Sequence, residues 1–302
     1  MIAQSIGGSI GGFMSKETFR FRLGEFSCLS ILDCKASYPP EIFFTNLSKD
    51  QLRPLLAKYG NAEQFESDYI SLFVQAGSRR VLIDTGMGTA GDFLPVTGRL
   101  LDHLRSEGIE PDTIDTVIMT HGHPDHIGGN LDRAGRPAFP KARYTMYEAE
   151  WNYWTSTPSL EELAVDRHFK EGILASARRN LSGIREQLNL LKAITKEIVP
   201  GISAVASHGH TPGHISLEIT AGGEKLLFVG DAFIHPIHVE HPEVLALVDH
   251  HREETVQART RLLEKAVEEK CLVMGPHFPF PGIGHVAKTT SNRWEWQPLR
   301  AF

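Results

Sequence analysis

Three histidines and one aspartate fall within residues 121–126, directly behind a short apolar segment; they are His121, His123, Asp125 and His126. Residues 115–120 are mostly β-branched and predict a buried strand. The cluster therefore lies in the loop at a strand end, where rigid scaffolds commonly present functional side chains. In near-extended backbone His121 and His123 point to the same side, so they can share one metal ion. Asp125 and His126, beyond the bend, can reach a second ion.

Other predicted strands also end in histidine or aspartate. Residues 202–206 lead into the loop 208–214, which contains His208, His210 and His214. The apolar run 225–229 is followed by Asp231, and 271–274 is followed by His277, with His285 a little further on. Such a set of strand ends predicts one composite metal site. The residues alone do not decide which of His208, His210 and His214 is a ligand. They also do not decide between His277 and His285.

The motifs H-x-H-x-D-H at 121–126, H-T-x-G-H at 210–214, the pair Gly230–Asp231 and the late His277 resemble the metallo-β-lactamase superfamily. The resemblance implies that His121, His123 and His210 hold one metal ion, because the family's ligand is the first histidine of H-T-x-G-H. It implies that Asp125, His126 and His277 hold a second ion, and that Asp231 bridges the two.

The resemblance also assigns roles around the ligands. His214 would hold a ligand in position, and His208 would be a loop residue. His277 is preferred to His285 because it directly follows a strand end. Asp84 matches the aspartate of the family's D-T-G element, which supports the metal site.

Composition restricts the classes of function. The chain has 302 residues, a net charge of −6 and 41% hydrophobic residues, so it can bury a large core but lacks the basic balance of a nucleic-acid surface. No apolar run approaches the roughly 18 residues of a membrane span. Its three cysteines form no C-x-x-C pair. We expect no nucleic-acid or membrane partner, and a cytoplasmic location.

The order of predicted elements gives the fold class. Two halves, each with strands followed by helices, suit the four-layer αββα sandwich that the resemblance implies. We expect one α/β domain over residues 1–302, with an N-terminal arm at 1–18. Residues 148–197 are predicted to be a helical insertion over the site, with an apolar face formed by Ile184, Leu188, Leu191 and Ile194.

Charge counting predicts the chemistry. Two dications with Asp125, Asp231 and a bridging hydroxide leave a net charge of +1. A metal pair lowers the pKa of water to about 7 and polarises an acyl or phosphoryl oxygen. We therefore expect hydrolysis by a hydroxide that bridges the ions, with Asp125 transferring a proton. Two divalent ions are expected; the ligand set favours Zn²⁺ and also admits Mn²⁺, Co²⁺ or Fe.

The substrate class is taken from the resemblance. The string Pro279–His285 and the spacing of the metal motifs resemble the branch that contains methyl parathion hydrolase, near the lactonases. This implies a small-molecule lactone or carboxylic (aryl) ester as substrate, with phosphotriesters as a side activity. Phe93, Trp154 and His235 are the predicted substrate contacts.

Several alternatives remain open. Organophosphate hydrolysis could be the main activity. The same fold also supports iron-dependent oxidoreductases and sulfur dioxygenases, and a non-catalytic binding protein is a third class. The branch commonly forms homodimers, but no spacing in this chain decides its oligomeric state.

Overall fold

The computed structural model describes residues 13–14, 16–60, 63–88, 96–158, 160–194 and 197–299. Phe93, a predicted substrate contact, lies outside these residues, as does most of the predicted arm at 1–18.

Within this part of the chain, a first sheet contains eight strands whose spatial order follows the sequence. The pairs from the first to the fifth strand are antiparallel and the remaining pairs are parallel. The strands are β1 (Phe13–Met14), β2 (Thr18–Leu23), β3 (Phe26–Tyr38), β4 (Phe65–Ala76), β5 (Arg79–Ile83), β6 (Thr116–Ile118), β7 (Arg143–Tyr147) and β8 (Leu188–Leu191).

A second sheet, counted over the same described residues, has seven strands, again in sequence order. Its one parallel pair, between the strands at 224–228 and 272–274, is connected through a long helix. The strands are β9 (Glu197–Val199), β10 (Ile202–Ala206), β11 (Ile215–Ala221), β12 (Glu224–Phe228), β13 (Leu272–Met274), β14 (Ile283–Lys288) and β15 (Trp294–Pro298).

Helices cover the outer faces of both sheets. They are α1 (Lys49–Ala57), α2 (Leu100–Ser106), α3 (Pro124–Ile127), α4 (Glu148–Thr155), α5 (Arg167–Ser182), α6 (Pro236–Glu240) and α7 (Arg252–Glu268). None of the helices described here combines the length and the apolar character needed to cross a bilayer.

The core lies in three layers of contact between these elements. Alternate residues of β4 point to opposite faces: Leu72 and Val74 join the cluster between the two sheets, whereas Phe73 joins the cluster beneath the helices of the first sheet. Leu262 and Leu263 of α7 pack on the outer face of the second sheet. The result is the four-layer αββα sandwich predicted from the sequence.

One predicted helical face is wrong. Residues 184–194 do not continue α5, which ends at Ser182 before Gly183. Leu188–Leu191 instead form β8, paired in parallel with β7. The apolar spacing fitted a helix, but the open edge of β7 provides backbone hydrogen-bond partners that a sequence pattern cannot reveal. Among the described residues of the block at 148–197, α-helix is therefore confined to α4 and α5.

Candidate metal centre

The loops that follow four strands meet at one edge of the sandwich. His121 and His123 follow β6, His210 follows β10, Asp231 follows β12 and His277 follows β13. The first of these loops belongs to one sheet and the other three to the second sheet. The site is therefore assembled only when the two sheets pack together.

The first group of converging side chains is fully buried and consists of His121, His123, His210 and Asp231. One ligand atom from each lies within 4.8 Å of the others. Nδ1 of His123 is 2.9 Å from Nε2 of His210 and 3.0 Å from Nε2 of His121. Asp231 Oδ2 lies 3.4 Å from Nε2 of His210.

The second group contains Asp125, His126, Asp231 and His277, also within 4.8 Å. Asp231 Oδ1 is 3.1 Å from Nε2 of His126 and 3.1 Å from Nε2 of His277. Asp125 Oδ2 is 3.4 Å from Nε2 of His277. Asp231 is shared by both groups, as a bridging carboxylate must be.

The hydrogen-bond partners of the histidines fix where their protons lie. Nδ1 of His126 is 2.8 Å from the Asp84 carboxylate, and Nδ1 of His277 is 3.0 Å from the carbonyl oxygen of Asp68. Since oxygens of these types only accept, both rings carry their proton on Nδ1. Their Nε2 lone pairs then face each other at 3.2 Å. Two lone pairs at that distance repel each other unless a proton or a metal ion lies between or beside them, so this pair of nitrogens favours a cation.

The ring protons of two histidines in the first group can be placed in the same way. Nδ1 of His210 is 2.9 Å from Oδ1 of Asp249, and Nδ1 of His121 is 3.1 Å from Oγ1 of Thr120. That hydroxyl already donates to Asp84, so it accepts from His121. Nε2 of both histidines is therefore free to bind a metal ion. The residues present fit a pair of divalent cations.

The pKa values of the candidate ligands also favour metal binding. Burial holds the pKa of His121 and His123 well below the ordinary value, so these rings are neutral, as ligands must be. Burial also lowers the pKa of His126, but the charges of Asp231 and Asp125 outweigh it and hold the pKa well above its usual range. The second group thus attracts positive charge.

Asp84 and His214 support the ligands from behind. Asp84 has φ 56° and accepts hydrogen bonds from the backbone N–H and hydroxyl of Thr120, at 2.8 and 2.9 Å. Nε2 of His214 accepts the backbone N–H of Asp231 at 2.9 Å. His285 is exposed on β14 and lies outside both groups.

No sequence motif indicated Glu150, a buried carboxylate on α4. Its Oε1 accepts the backbone N–H of Gly122 at 2.8 Å and Nε1 of Trp154 at 2.6 Å. Its Oε2 accepts the hydroxyl of Thr211 at 2.8 Å and the N–H of Gly213 at 2.9 Å. Glu150 therefore fastens the loop of His121 and His123 to the loop of His210.

Asp249 is a second residue that the motifs did not indicate. It holds His210 through Oδ1 and accepts the N–H of Ala246 at 2.8 Å through Oδ2. Burial would raise its pKa, but the hydrogen bond from His210 and the charge of Arg259 lower the pKa to about 2. The buried Arg259 also donates to the carbonyl of Ala232, directly after Asp231.

A cavity opens above the two groups. Its polar end carries Asp125, Asp231, His123, His210 and His277 together with hydroxyl-bearing residues of β3 and β4. Its remaining wall is apolar. The residues outside the metal groups are Tyr38, Ile42, Phe43, Ser67, Tyr69, Pro124, Phe169, Ile173, Ile234 and Val248.

Two of the predicted substrate contacts lie away from this cavity. Trp154 is completely buried, with its ring 5.5 Å from that of His123 and its N–H bonded to Glu150. His235 is buried among aromatic rings and accepts the N–H of Ile237 at 3.2 Å. Neither side chain belongs to the cavity lining. Trp154 instead lies behind the first group of candidate ligands, and His235 directly precedes α6 as its N-cap.

Comparison with known proteins places these motifs in context. The sequence profile described as "Metallo-beta-lactamase superfamily" matches residues 70–277. An N-acyl homoserine lactonase of Bacillus sp is 30% identical over 216 residues, which are 65% of this chain and 76% of that protein. The N-acyl homoserine lactonase AiiA of Bacillus thuringiensis subsp. kurstaki is 30% identical over 172 residues, 51% of this chain. The aligned segment spans 59% of the length of AiiA.

Solved structures share the whole sandwich. AidC, described as a dizinc quorum-quenching lactonase, superposes with a TM-score of 0.86 at 24% identity, covering 95% of this chain and 98% of AidC. The hydrolase AbOPH superposes with a TM-score of 0.85 at 23% identity, covering 96% of this chain and 100% of AbOPH. These likenesses establish a common fold.

Proposed function

This chain belongs to the metallo-β-lactamase superfamily, and we propose that within it the protein is a dinuclear metal-dependent hydrolase that opens lactones. The observation that carries the proposal is the position of Asp231, whose carboxylate belongs to both groups of candidate ligands. One carboxylate shared by two sets of histidines is the arrangement that holds two ions close together.

We assign every candidate ligand to this pair of ions. His121, His123 and His210 hold the first ion, Asp125, His126 and His277 hold the second, and Asp231 is common to both. Nitrogen-rich ligation with carboxylates favours Zn²⁺. When bound, the ions lower the pKa of water and polarise the carbonyl group of the substrate.

Asp125 is the residue of the second group that combines contact with the cavity and partial exposure, its side chain being 18% accessible. Its carboxylate can accept a proton from the attacking water and return it to the alkoxide that leaves when the ring opens. Asp125 thereby completes the reaction without a serine or cysteine nucleophile.

The lining of the cavity is an argument for an acylated substrate. Its apolar part consists of Ile42, Phe43, Phe169, Ile173, Ile234 and Val248, which suits an alkyl chain. The relatives AiiA and the Bacillus sp protein are named as N-acyl homoserine lactonases. We therefore propose an N-acyl homoserine lactone as the substrate class.

Aryl esters and phosphotriesters are proposed as side activities. The resemblance to the branch of methyl parathion hydrolase suggests them, and both kinds of substrate develop charge on an oxygen that the same cations stabilise.

A substrate panel tests the proposal. Hydrolysis rates are measured for N-acyl homoserine lactones, aryl lactones, thioesters, aryl esters and phosphotriesters, before and after chelation and after zinc is restored. We expect kcat/KM for the lactones to exceed that for the esters and phosphotriesters by at least about tenfold, with activity lost on chelation and recovered with zinc. A preference for phosphotriesters would reassign the main activity, and iron content with oxygen uptake would assign redox chemistry.

A further inference from the structure

Two tyrosine hydroxyl groups meet at the polar end of the cavity. Tyr38 lies at the end of β3 and Tyr69 lies on the neighbouring β4, and their hydroxyl oxygens are hydrogen-bonded to each other. Both residues line the cavity together with Asp125 and His277. The ring of Tyr69 packs edge-on against that of His277, with centroids 4.9 Å apart. The pair therefore lies beside the second metal group.

Counting hydrogens shows that the pair has a donor left over. Each hydroxyl group carries one hydrogen. One of the two hydrogens is used in the bond between Tyr38 and Tyr69. In the part of the chain that the structure describes, no further acceptor is recorded for the other, and it belongs to a hydroxyl on the cavity wall.

The other polar side chains at this end of the cavity are acceptors or are already engaged. Asp125 and Asp231 are carboxylates, and Nε2 of His277 presents a lone pair. The hydroxyl of Ser67 donates to the carbonyl oxygen of Asp68 at 3.4 Å and lies 3.1 Å from Nδ1 of His277. A substrate oxygen that gains negative charge here can accept a hydrogen bond in addition to its contact with the cations, and the tyrosine pair supplies the donor.

The two hydroxyl groups keep their protons over the working pH range. Burial raises the pKa of Tyr38 to about 12. The ordinary pKa of a tyrosine hydroxyl is about 10, so Tyr69 is also protonated at neutral pH and both residues remain hydrogen-bond donors.

We propose that the Tyr38–Tyr69 hydroxyl pair donates a hydrogen bond to the substrate oxygen on which negative charge develops during ester cleavage. The inference rests on the proposed hydrolytic function and adds two catalytic residues to it. No proton is transferred by the pair; the donated bond becomes stronger as the charge grows, which lowers the barrier rather than tightening substrate binding.

The test is the double variant Tyr38→Phe/Tyr69→Phe, because either single variant leaves one hydroxyl free to donate. We expect kcat for the preferred lactone to fall about 100-fold, the size expected for loss of an oxyanion donor. KM should stay within about twofold, and metal content should be unchanged. The single variants should show smaller losses.

Tyr144→Phe is the matched control. Tyr144 is also buried and its hydroxyl is hydrogen-bonded, to the carbonyl of Asn130 at 3.2 Å, but it lies outside the cavity lining. This variant should lose stability and keep kcat.

The possible outcomes distinguish a failure of the role proposed for the tyrosine pair from a failure of the proposed lactonase function. Wild-type hydrolysis of lactones with an unchanged kcat in the double variant would overturn the role of the pair alone. A loss of activity that runs parallel to a loss of metal would assign the tyrosines to packing against His277 and would also overturn it. If the wild type prefers another ester or phosphotriester, the lactone proposal fails, and the same comparison on that substrate decides the role of the pair. Absence of all hydrolysis by the wild type overturns both.

Discussion

At the scale of single residues, each candidate ligand is oriented by the partner of its second ring nitrogen. Asp84 holds His126, Asp249 holds His210, and the backbone carbonyl of Asp68 holds His277. Such partners fix both the tautomer and the direction of the ring, and they raise the basicity of the ligand. The geometry of the site thus depends on oxygens of residues that lie outside the lining of the cavity.

Glu150→Gln tests the most heavily engaged of these outer residues. The four groups facing Glu150 are all donors, so the amide nitrogen of glutamine would meet donors and leave them unsatisfied. We expect the free energy of unfolding to fall by about 2 kcal/mol, and metal affinity to fall at least about tenfold. Denaturant unfolding and metal competition titrations measure these effects.

Glu148→Gln, at the start of the same helix, is the control. It should leave both quantities close to wild type, and an equal effect of the two substitutions would contradict the role given to Glu150.

The pH dependence of stability has an identifiable contribution from His235. Burial lowers the pKa of this residue to about 3, whereas the unfolded chain has a pKa of about 6.5. Since the unfolded state binds the proton more readily, the contribution of His235 to the free energy of unfolding is complete above about pH 6.5. It is lost as the pH falls towards 3.

In His235→Asn the free energy of unfolding should depend less steeply on pH between 4 and 6 than it does in the wild type. The two slopes should differ by about 1.4 kcal/mol per pH unit, which corresponds to one proton. Denaturant titrations at several pH values give the two slopes. The exposed His168→Asn should retain the wild-type slope. Equal slopes for His235→Asn and wild type would exclude this role for His235.

Much of the site could be predicted from the sequence because the candidate ligands occur in compact motifs. His121, His123, Asp125 and His126 occupy one loop, and the others each follow a recognisable strand. Glu150 could not be found in this way, because it bonds with groups 28 and 61 residues away. The tyrosine pair is likewise created by strand pairing, and no local pattern records it.

At the scale of elements, the site is built from strand ends and closed by helix α5. The strands β6, β10, β12 and β13 lie where the sequence predicted them. Strand β8 was missed, because its apolar spacing also fits a helix and the deciding factor is the free edge of β7. Helix α5 contributes Phe169 and Ile173 to the cavity wall.

The position of α5 predicts a specific effect on the acyl chain. Ile173→Ala should raise KM for long-chain acyl lactones by about tenfold, since burial of each methylene contributes about 0.8 kcal/mol, and should change KM for short-chain lactones little. Steady-state kinetics over a series of chain lengths measures the difference.

The neighbouring Leu174→Ala removes a side chain of similar size that packs on the first sheet's outer cluster rather than lining the cavity. It should lower stability without a dependence on chain length. A uniform effect of Ile173→Ala across the series would contradict contact between α5 and the acyl chain.

At the scale of the whole molecule, the two sheets act as two halves of one site. The first sheet contributes the loop 121–126, and the second contributes His210, Asp231 and His277. Burial of the cluster between the sheets brings these loops together, so the αββα sandwich positions the metal ligands as a consequence of folding. This organisation was predictable from the order of elements, whereas the orientation of each ring depends on contacts that appear only in the assembled structure.

The number of metal ions bound per chain decides whether the protein contains a dinuclear centre. Elemental analysis of the chelated protein after reconstitution and removal of free metal should give two divalent ions per chain for the wild type. Asp231→Asn should reduce binding at both positions, since this carboxylate is common to the two groups. One ion or none in the wild type, or two ions retained in Asp231→Asn, would contradict a dinuclear centre bridged by Asp231.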